Sequence, residues 1–451
     1  MPITGSLGSL TIEKVSFSTF DNFSSWYLET SNSIAFSGIA CTNSTTYFVG
    51  GRTGPYDSIT SNSVVNMMCI TDSSIYPQQL WNAEYYLPNI TYTGDVKNRA
   101  NSSGVYMTMG KNIIANTNTN YSFGSVMVGN LTTSNYDFAN TQNFNPRATR
   151  TSNTKMLDSV VWSTGSGYCS YIGIDPVANL LIYKFTGVTA TYGGQTGSIN
   201  IDSTTYTETA CITNLPTSNY SFGSYVLGCN PTSNNLIRAF HYAGLYPSST
   251  NLVTDWQRQF GSNIAITNVT TDTSDNLYFV TGAKNSNNYI FSYDKTGNIL
   301  WQQQINNVQL SSINYSNNYL YICGNTASNV FIAKFDTTGN IQWQTKLSST
   351  ATTLIPKSIK ENNGNIVVAG TSNYRGFVLK IPNTGNIPAN GNFTLNGSNF
   401  TYGNSSLSIT TSALSNIAPS TGNANITNNF GSSGILPGNS SIQSISSVGI
   451  N

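Results

Sequence analysis

Short runs of apolar residues, each ending at a glycine, recur in the second half of the chain. Residues 277–282 form one such run, and residues 320–324 and 366–370 repeat it. After a polar turn, each run is followed by a second apolar run, at residues 289–293, 330–335 and 377–381. Runs this short, bounded by Gly, Asn and Asp, predict β-strands. The pattern therefore predicts an all-β repeat.

The turn after the second run carries a recurring Asp-x-x-Gly-Asn signature. It begins at Asp294 and again at Asp336, and a third copy ends at Gly385. The three turn glycines are 42 and 46 residues apart, a period typical of propeller blades with three or four strands each. We expect the Asp carboxylate to accept hydrogen bonds from turn amides and the glycine to supply a positive φ. The tryptophan that follows is expected to cover the seam between blades.

The first half of the chain repeats more loosely. Residues 120–125 recur as residues 219–224, a separation of 99 residues. We expect the glycine-ended run to be the innermost strand, and its glycines predict seven blades, with six or eight as alternatives: Gly50, Gly129, Gly173, Gly228, Gly282, Gly324 and Gly370. The first gap is too long for one blade. It predicts either an excursion over residues 86–120 or an extra blade around residues 105–110.

Two flanks lie outside the repeat, so the chain divides into three predicted parts. Residues 1–30 are an N-terminal arm or a ring-closing strand, because residues 10–17 alternate like a strand. Residues 31–391 are the β-propeller. Residues 392–451 are an Asn/Ser/Thr-rich C-terminal arm without a charged residue. This arm cannot bury enough apolar surface alone, so it is either disordered or ordered by neighbouring subunits, and we expect the second.

Composition narrows the class of partner. Charged residues are only 8% of the chain and the net charge is +1, so no basic patch predicts nucleic-acid binding. The densest basic stretch, residues 147–155, is expected to be a solvated loop. No apolar segment is long enough for membrane insertion, and no secretory leader is recognisable. The six scattered cysteines predict free, mostly buried thiols in a protein made in a reducing cytoplasm.

The sequence has no recognisable arrangement of catalytic or ligand-binding side chains. His241 is the single histidine, and we expect it to be a packed or surface side chain. Residues 272–276 superficially resemble a calcium loop but predict an interstrand turn, and the glycine-rich residues 191–197 lack the phosphate-loop Lys. The carboxylates are spread between blades without a motif: Asp158, Asp175, Asp202, Glu208, Asp255 and Asp272. We therefore predict no catalytic, cofactor-binding or metal-binding residues, no cofactor and no enzymatic activity.

The copies at residues 294–301 and 336–343 carry a family resemblance. They resemble the bacterial and viral seven-bladed propeller repeat, and the whole arrangement is similar to virion structural proteins of marine tailed phages, in which such repeats precede an uncharged tail. The resemblance covers residues 264–391 well and residues 35–263 loosely. It implies a component of a virus particle, located on the tail, the fibre or the outer shell.

Four functions are consistent with these features. The leading hypothesis is a virion structural protein of a phage or large DNA virus, made in the host cytoplasm, multi-copy or homo-oligomeric, with other virion proteins as partners. The first alternative is a module that binds a host receptor or glycan through Tyr- and Asn-bearing loops at residues 286–289 and 372–375. A glycan-degrading tail enzyme would need two facing carboxylates. An extracellular bacterial propeller protein is a further alternative.

Overall fold

The described part of the chain consists of strands and turns. In the computed structural model none of the described residues is helical, and no long apolar helix that could cross a membrane occurs among them. The structure describes residues 25–41, 43–52, 65–72, 77–86, 90–101, 104–113, 125–131, 136–137, 143–144, 155–161, 169–175, 179–185, 196–200, 206–215, 224–231, 236–243, 251–260, 264–283, 287–386, 392–395, 397–407, 409–411, 416–417, 427–431, 433–434, 439–441 and 445–450.

The described strands number thirty-seven. In chain order they are β1 Ser25–Ser33, β2 Ala35–Cys41, β3 Thr46–Arg52, β4 Val65–Thr71, β5 Gln78–Tyr86, β6 Ile90–Asn101, β7 Gly104–Ile113, β8 Ser125–Leu131, β9 Tyr136–Asp137, β10 Asn143–Phe144, β11 Lys155–Val161, β12 Cys169–Asp175, β13 Asn179–Phe185, β14 Thr196–Asn200, β15 Tyr206–Leu215, β16 Ser224–Pro231, β17 Leu236–Ala243, β18 Asn251–Phe260, β19 Ile264–Thr271, β20 Leu277–Ala283, β21 Asn287–Tyr293, β22 Ile299–Asn306, β23 Gln309–Ser316, β24 Tyr319–Thr326, β25 Asn329–Asp336, β26 Ile341–Ser349, β27 Leu354–Asn362, β28 Asn365–Ser372, β29 Arg375–Pro382, β30 Asn392–Leu395, β31 Ser398–Asn404, β32 Ile409–Thr411, β33 Asn416–Ile417, β34 Thr427–Gly431, β35 Ser433–Gly434, β36 Asn439–Ser441 and β37 Ile445–Ile450.

Consecutive strands pair antiparallel into blades. The largest sheet has nine strands and divides at a single parallel pair, Met156↔Gly94, between β11 and β6. The resulting four-stranded groups are blade 1 (β2–β5), blade 2 (β6–β9), blade 3 (β11–β14), blade 4 (β15–β18), blade 5 (β19–β22), blade 6 (β23–β26) and blade 7 (β27–β29 with β1).

The blades form a ring. The first strand of each blade contacts the first strand of the next, and β27 contacts β2, so these strands surround the centre. The prediction of an all-β propeller is confirmed. The count of seven stays a prediction, which this division of the sheets supports.

The glycine-ended runs are second strands, so the prediction that they are innermost is wrong. The first strands carry a bulge, after Phe36, Leu310 and Pro356 in blades 1, 6 and 7. A Cβ on the opposing Gly51 or Gly324 would lie 2.3 Å from a backbone oxygen of the bulged strand. The bulge therefore explains why these positions require glycine.

Two glycines used for counting blades occupy other positions. Gly51, and not Gly50, faces the bulge of blade 1. Gly129 lies on β8, whereas Gly110 lies on β7, the second strand of the same blade. Residues 105–110 thus belong to blade 2, and the long first gap came from comparing different strands. The recurring residues 120–124 and 219–223 lie outside the described residues.

The strand β1 completes blade 7 from the other end of the chain. It pairs antiparallel with β29, from Trp26↔Lys380 to Glu29↔Phe377. Trp26, Tyr27 and Leu28 are buried there. The last blade is therefore closed by an N-terminal strand, in the ring-closing position. The alternating stretch at residues 10–17 lies outside the described residues.

The C-terminal strands add to the outer edges of the blades. We call the described strands β30–β37 the girdle. The hairpin β30–β31 pairs with blade 6, and β32, β33 and β34 pair with the fourth strands of blades 5, 4 and 3. Next, β35 pairs with β10, β36 with blade 1 and β37 with β1. The girdle covers edges that would otherwise be open to strand addition. Ordering of this segment by neighbouring subunits stays a prediction.

A tryptophan on the fourth strand packs against the turn of the next blade. The indole Nε1 of Trp301 donates to the Thr337 carbonyl oxygen at 2.8 Å, and Trp343 donates to the Asn383 oxygen at 3.1 Å. Gly339 and Gly385 lie directly against these two rings. The prediction that these tryptophans cover the seams between blades is confirmed.

The Asp-x-x-Gly-Asn turns have the predicted chemistry. Asp294 Oδ1 accepts the backbone N–H groups of Thr296 and Asn298, each at 2.9 Å, and Asp336 forms the equivalent turn. Partial burial alone would raise the pKa of each carboxyl, but the hydrogen bonds from the turn hold the pKa of both below the usual range. Gly297 has a φ of 80°, as this turn requires.

Two glycines with the same backbone conformation allow the stability cost of disturbing the seam to be measured apart from the cost of backbone strain. Gly339 has a φ of 89° and its Cβ would lie 2.7 Å from Trp301, whereas Gly364 has a φ of 83° with nothing within 4 Å. We expect Gly364→Ala to cost about 1 kcal/mol of stability through its positive φ. Gly339→Ala should cost about 1–3 kcal/mol more through overpacking. Denaturant unfolding followed by tryptophan fluorescence measures both, and equal losses would contradict the packing of Trp301 on Gly339.

Candidate functional site

The acidic residues found by the sequence search are distributed over several blades. Asp158 and Asp175 lie on blade 3, Glu208 and Asp255 lie on blade 4, and Asp202 lies outside the described residues. His241 lies on β17 of blade 4. In the part of the chain that the structure describes, no three His, Cys, Asp or Glu side chains are grouped as metal ligands would be. These residues therefore do not define a site.

The calcium-like segment is an interstrand turn, as predicted. Asp272 Oδ1 accepts the backbone N–H groups of Ser274 and Asn276, at 2.8 and 2.9 Å. Its Oδ2 accepts the Tyr278 hydroxyl at 2.9 Å. The carboxylate is thus already engaged within its own turn. Residues 191–195 of the glycine-rich stretch lie outside the described residues.

The cysteines with described side chains are free thiols. Cys69, Cys211 and Cys323 are buried and Cys41 is partly buried, which agrees with the prediction. Burial raises the pKa of the Cys41, Cys69 and Cys323 thiols to about 12. A thiol with so high a pKa has almost no thiolate at neutral pH, so none of these three is suited to act as a nucleophile.

A buried polar cluster forms where the ring closes. Asp72, between β4 and β5 of blade 1, accepts Lys380 Nζ at 2.6 Å, Trp26 Nε1 at 2.8 Å and the Tyr47 hydroxyl at 3.0 Å. The Lys380 side chain is 6% exposed. Burial first, and the Asp72 charge next, raise the pKa of Tyr47 well above its usual value. This cluster was not predicted from the sequence, because Asp72 and Lys380 come from opposite ends of the repeat.

A second buried carboxylate supports a turn on blade 7. Glu29 on β1 is buried, and its Oε1 accepts the hydroxyls of Tyr27 at 2.7 Å and Ser372 at 2.6 Å. The Arg375 guanidinium lies 3.9 Å from Glu29 Oε2, with the Arg375 side chain 43% exposed. Burial, followed by the Glu29 charge, raises the pKa of Tyr27. Glu29 thereby connects the ring-closing strand to the base of the turn at residues 372–375.

That turn presents an aromatic ring to solvent. Its central residues Asn373 and Tyr374 have φ values of 42° and 77°, and Tyr374 is 79% exposed. In the other loop considered for ligand binding, Tyr289 is half-buried and its ring stacks on Phe291 with centroids 5.8 Å apart. Of these two tyrosines, only Tyr374 presents its ring for a ligand to stack on.

A lysine in the seam between blades 6 and 7 lies among aromatic rings. Lys334 Nζ is 3.8 Å from the centroid of the Tyr319 ring and 5.5 Å from that of Tyr321. The pKa of Lys334 is lowered by burial, partly offset by the Glu361 charge. The ion pairs Arg375–Glu29 and Lys380–Asp72 do not include Lys334, which has no described carboxylate within salt-bridge distance.

The position of Lys334 in the repeat explains why it has no carboxylate partner. Lys334 and Lys380 occupy equivalent positions on the third strands of blades 6 and 7. Lys380 reaches Asp72 in the next blade, the residue that also accepts the N–H of the blade 7 tryptophan. For Lys334 the equivalent residue in the next blade is Asn383, whose carbonyl oxygen accepts the N–H of the blade 6 tryptophan and whose side chain has no charge. Lys334 is therefore a cation whose repeat-equivalent counterion is missing.

Comparison with known proteins gives one family match. The family described as Arylsulfotransferase (ASST) matches residues 263–387, which span β19 to β29 and therefore blades 5 and 6 and the first three strands of blade 7. No curated protein matches the chain. The family match covers less than a third of the chain and is a similarity. The resemblance to phage propeller repeats has no counterpart here and stays a prediction.

Two solved structures are similar at low scores. The Nup133 β-propeller domain of Vanderwaltozyma polyspora shares 9% identity at a TM-score of 0.40, covering 76% of this chain and 99% of that chain. A 6-phosphogluconolactonase candidate from Bacteroides uniformis ATCC 8492 shares 12% identity at a TM-score of 0.37, covering 71% of this chain and 95% of that chain. Both likenesses are too low to bear on function.

The prediction that the chain is not an enzyme is contradicted, because the matching family is an enzyme family. That prediction depended on the single histidine and on the absence of paired carboxylates. It did not consider lysine and tyrosine side chains brought together across strands. Lys334, Tyr319 and Tyr321 lie on neighbouring strands within the matched residues, and this group has no short sequence motif.

Removing the charge of Asp72 tests the contribution of the polar cluster at the ring closure to stability. Asp72→Asn keeps a side-chain oxygen for Trp26 but leaves the buried Lys380 ammonium without its counterion. Loss of one partner of a buried pair costs about 3–5 kcal/mol, so we expect a large drop in the unfolding midpoint. The double variant Asp72→Asn/Lys380→Met should recover much of it. Equal midpoints for the single and double variants in thermal unfolding would contradict a charge-dependent seam.

Proposed function

We propose that the chain is a structural docking module in which a rigid propeller supports exposed loops. The observation that carries this proposal is that two terminal segments, β1 and the girdle, cover the open strand edges of the propeller. Strand β1 completes blade 7, and girdle strands pair with the outer strands of blades 1, 3, 4, 5, 6 and 7. A ring closed this way offers few open edges for uncontrolled strand addition and holds its turns in fixed positions. We expect partners to contact the turns and the girdle, whose residues carry no charge.

We propose a virus particle as the setting, on the tail, the fibre or the outer shell. Support comes from the repeat resemblance and from a chain with only 8% charged residues. Other virion proteins and further copies of the chain are the expected partners. Outer strands covered by Asn, Ser and Thr side chains would present hydrogen-bonding groups without charge to such neighbours.

Particle composition tests this proposal directly. Particles are purified by density gradient from cells that produce the virus, and their proteins are quantified by mass spectrometry. We expect the chain at a fixed ratio to the major particle proteins. A version lacking residues 392–451 should be depleted from particles, whereas Thr401→Ala, at an exposed girdle position, should be incorporated normally. Absence of the full-length chain from the particles would refute the proposal.

The family match favours a second candidate function, sulfuryl transfer from an aryl sulfate to a phenol. In this reaction the S–O bond to the donor aryl group breaks, a new S–O bond forms to the acceptor oxygen, and the acceptor proton passes to the donor side. The Lys334 ammonium can attract the sulfate, and the Tyr319 ring beside it can contact the aryl group. The uncharged Asn383, at the position equivalent to Asp72, leaves this cation available for an anionic ligand.

Release of p-nitrophenol from p-nitrophenyl sulfate in the presence of phenol measures the second candidate. Wild-type protein should release it only when the acceptor phenol is present. Lys334→Met should lower the rate at least about tenfold, equivalent to about 1.4 kcal/mol of lost binding to the transition state. The matched control Lys346→Met changes an exposed lysine on β26 and should leave the rate unchanged. No acceptor-dependent release by the wild type would rule this candidate out.

A further inference from the structure

The turn at residues 372–375 places a tyrosine where the backbone favours glycine. Both central residues have positive φ, a conformation that suits Asn-Gly pairs. The preceding two-residue turn of the same blade has that pair, Asn363 and Gly364, with φ of 50° and 83°. Among the described non-glycine residues with positive φ, Tyr374 is the one aromatic side chain. Tyrosine is a poor choice at this position if only folding matters.

The ring of Tyr374 adds little to the core. It is 79% exposed, the largest exposure among the exposed large hydrophobic residues of the described chain. A ring that is both exposed and held at an unfavourable φ contributes neither burial nor backbone stability. Strain of this kind persists where the surrounding structure enforces it, and it is concentrated at functional sites.

The backbone beneath Tyr374 is fixed by neighbouring segments. Thr353 N donates to Asn373 Oδ1 at 2.7 Å, and Asn373 N and Nδ2 donate to the Thr353 and Ala351 carbonyl oxygens, each at 3.1 Å. Gly376 N donates to Thr30 Oγ1 at 2.9 Å. The turn is therefore attached both to the connection between blades 6 and 7 and to the ring-closing strand. The ring projects from a rigid base.

The surroundings of the ring indicate the chemistry of a ligand. Hydroxyl and amide groups of residues 349–353 and the half-exposed Arg375 flank the turn, and Glu29 offsets the Arg375 charge. Other exposed apolar side chains, Ile299, Leu300 and Ile341, follow turns at the opposite end of the blades. One aromatic ring among hydrogen-bonding groups, without an apolar patch, suits the C–H face and hydroxyls of a sugar better than an apolar protein surface.

We propose that the turn at residues 372–375 is a saccharide-binding site. The Tyr374 ring stacks against the face of a neutral sugar ring, and the Arg375 guanidinium donates hydrogen bonds to sugar hydroxyls. Glu29 is a positioning residue, because it holds Ser372 and Arg375 at the base of the turn. This assignment does not depend on the particle setting or on sulfuryl transfer.

A printed array of neutral and acidic oligosaccharides tests the site with the full chain. We expect wild-type protein to bind neutral oligosaccharides, with affinity then measured by calorimetry on the best binder. Tyr374→Gly should weaken binding at least about tenfold, as loss of a central aromatic contact does. The same variant should unfold at the same or a higher temperature, because glycine relaxes the positive φ. Arg375→Ala should weaken binding by a smaller factor.

Two variants complete the comparison. Tyr374→Phe keeps the stacking ring and should retain binding within a few-fold. Leu300→Ala removes a side chain that is 51% exposed at the opposite end and should bind as the wild type does. No binding of wild-type protein to any array component, or unchanged affinity in Tyr374→Gly, would overturn the assignment. A fall in the unfolding temperature of Tyr374→Gly would show that the ring serves the fold, and would also overturn it.

Discussion

The seam between neighbouring blades is the interaction on which the whole ring depends. A four-stranded blade is too small to be stable alone, so each must bury its faces against two neighbours. In blades 5 and 6 one tryptophan covers the seam, donating its N–H to a turn carbonyl and packing on a turn glycine. The Asp336–Gly339 turn supplies both partners for Trp301, and the equivalent Pro382–Gly385 turn supplies them for Trp343. A turn that is recognisable from a few adjacent residues therefore has a long-range role, because the tryptophan side chain of the preceding blade packs on it.

The closing seam uses the same positions with different chemistry. Trp26 occupies the place of Trp301 and Trp343, but its N–H reaches the Asp72 carboxylate, which also binds Lys380. This seam must bring together residues from the two ends of the repeat, and the β1–β29 pairing has no hairpin to fix its register. A buried ion pair is satisfied in one register only, so it can specify the pairing even where it adds little net stability.

The local features of this fold were predictable and the long-range pairings were not. The turn of Asp336 and the positive φ of Gly339 follow from residues close together in sequence, and the packing of Trp301 follows from the period of the repeat. The innermost strand was misassigned because the second strand, buried on both faces, is the more apolar one. The girdle pairs such as Thr345↔Asn404 bring together polar residues that have no matching pattern. No local signal marks them.

The candidate sites lie where the repeat is broken. Blade 7 lacks a hairpin between its third and fourth strands, since β1 supplies the fourth. In the seam between blades 6 and 7 the uncharged Asn383 stands at the position that Asp72 has in the closing seam, so Lys334 lacks the counterion that Lys380 has. The same closure places Glu29 under the Tyr374 turn, where a hairpin strand would otherwise lie. Completing the last blade with a strand from elsewhere thus creates a braced aromatic turn. Ring closure, which the fold requires, also generates the asymmetry that a binding site needs.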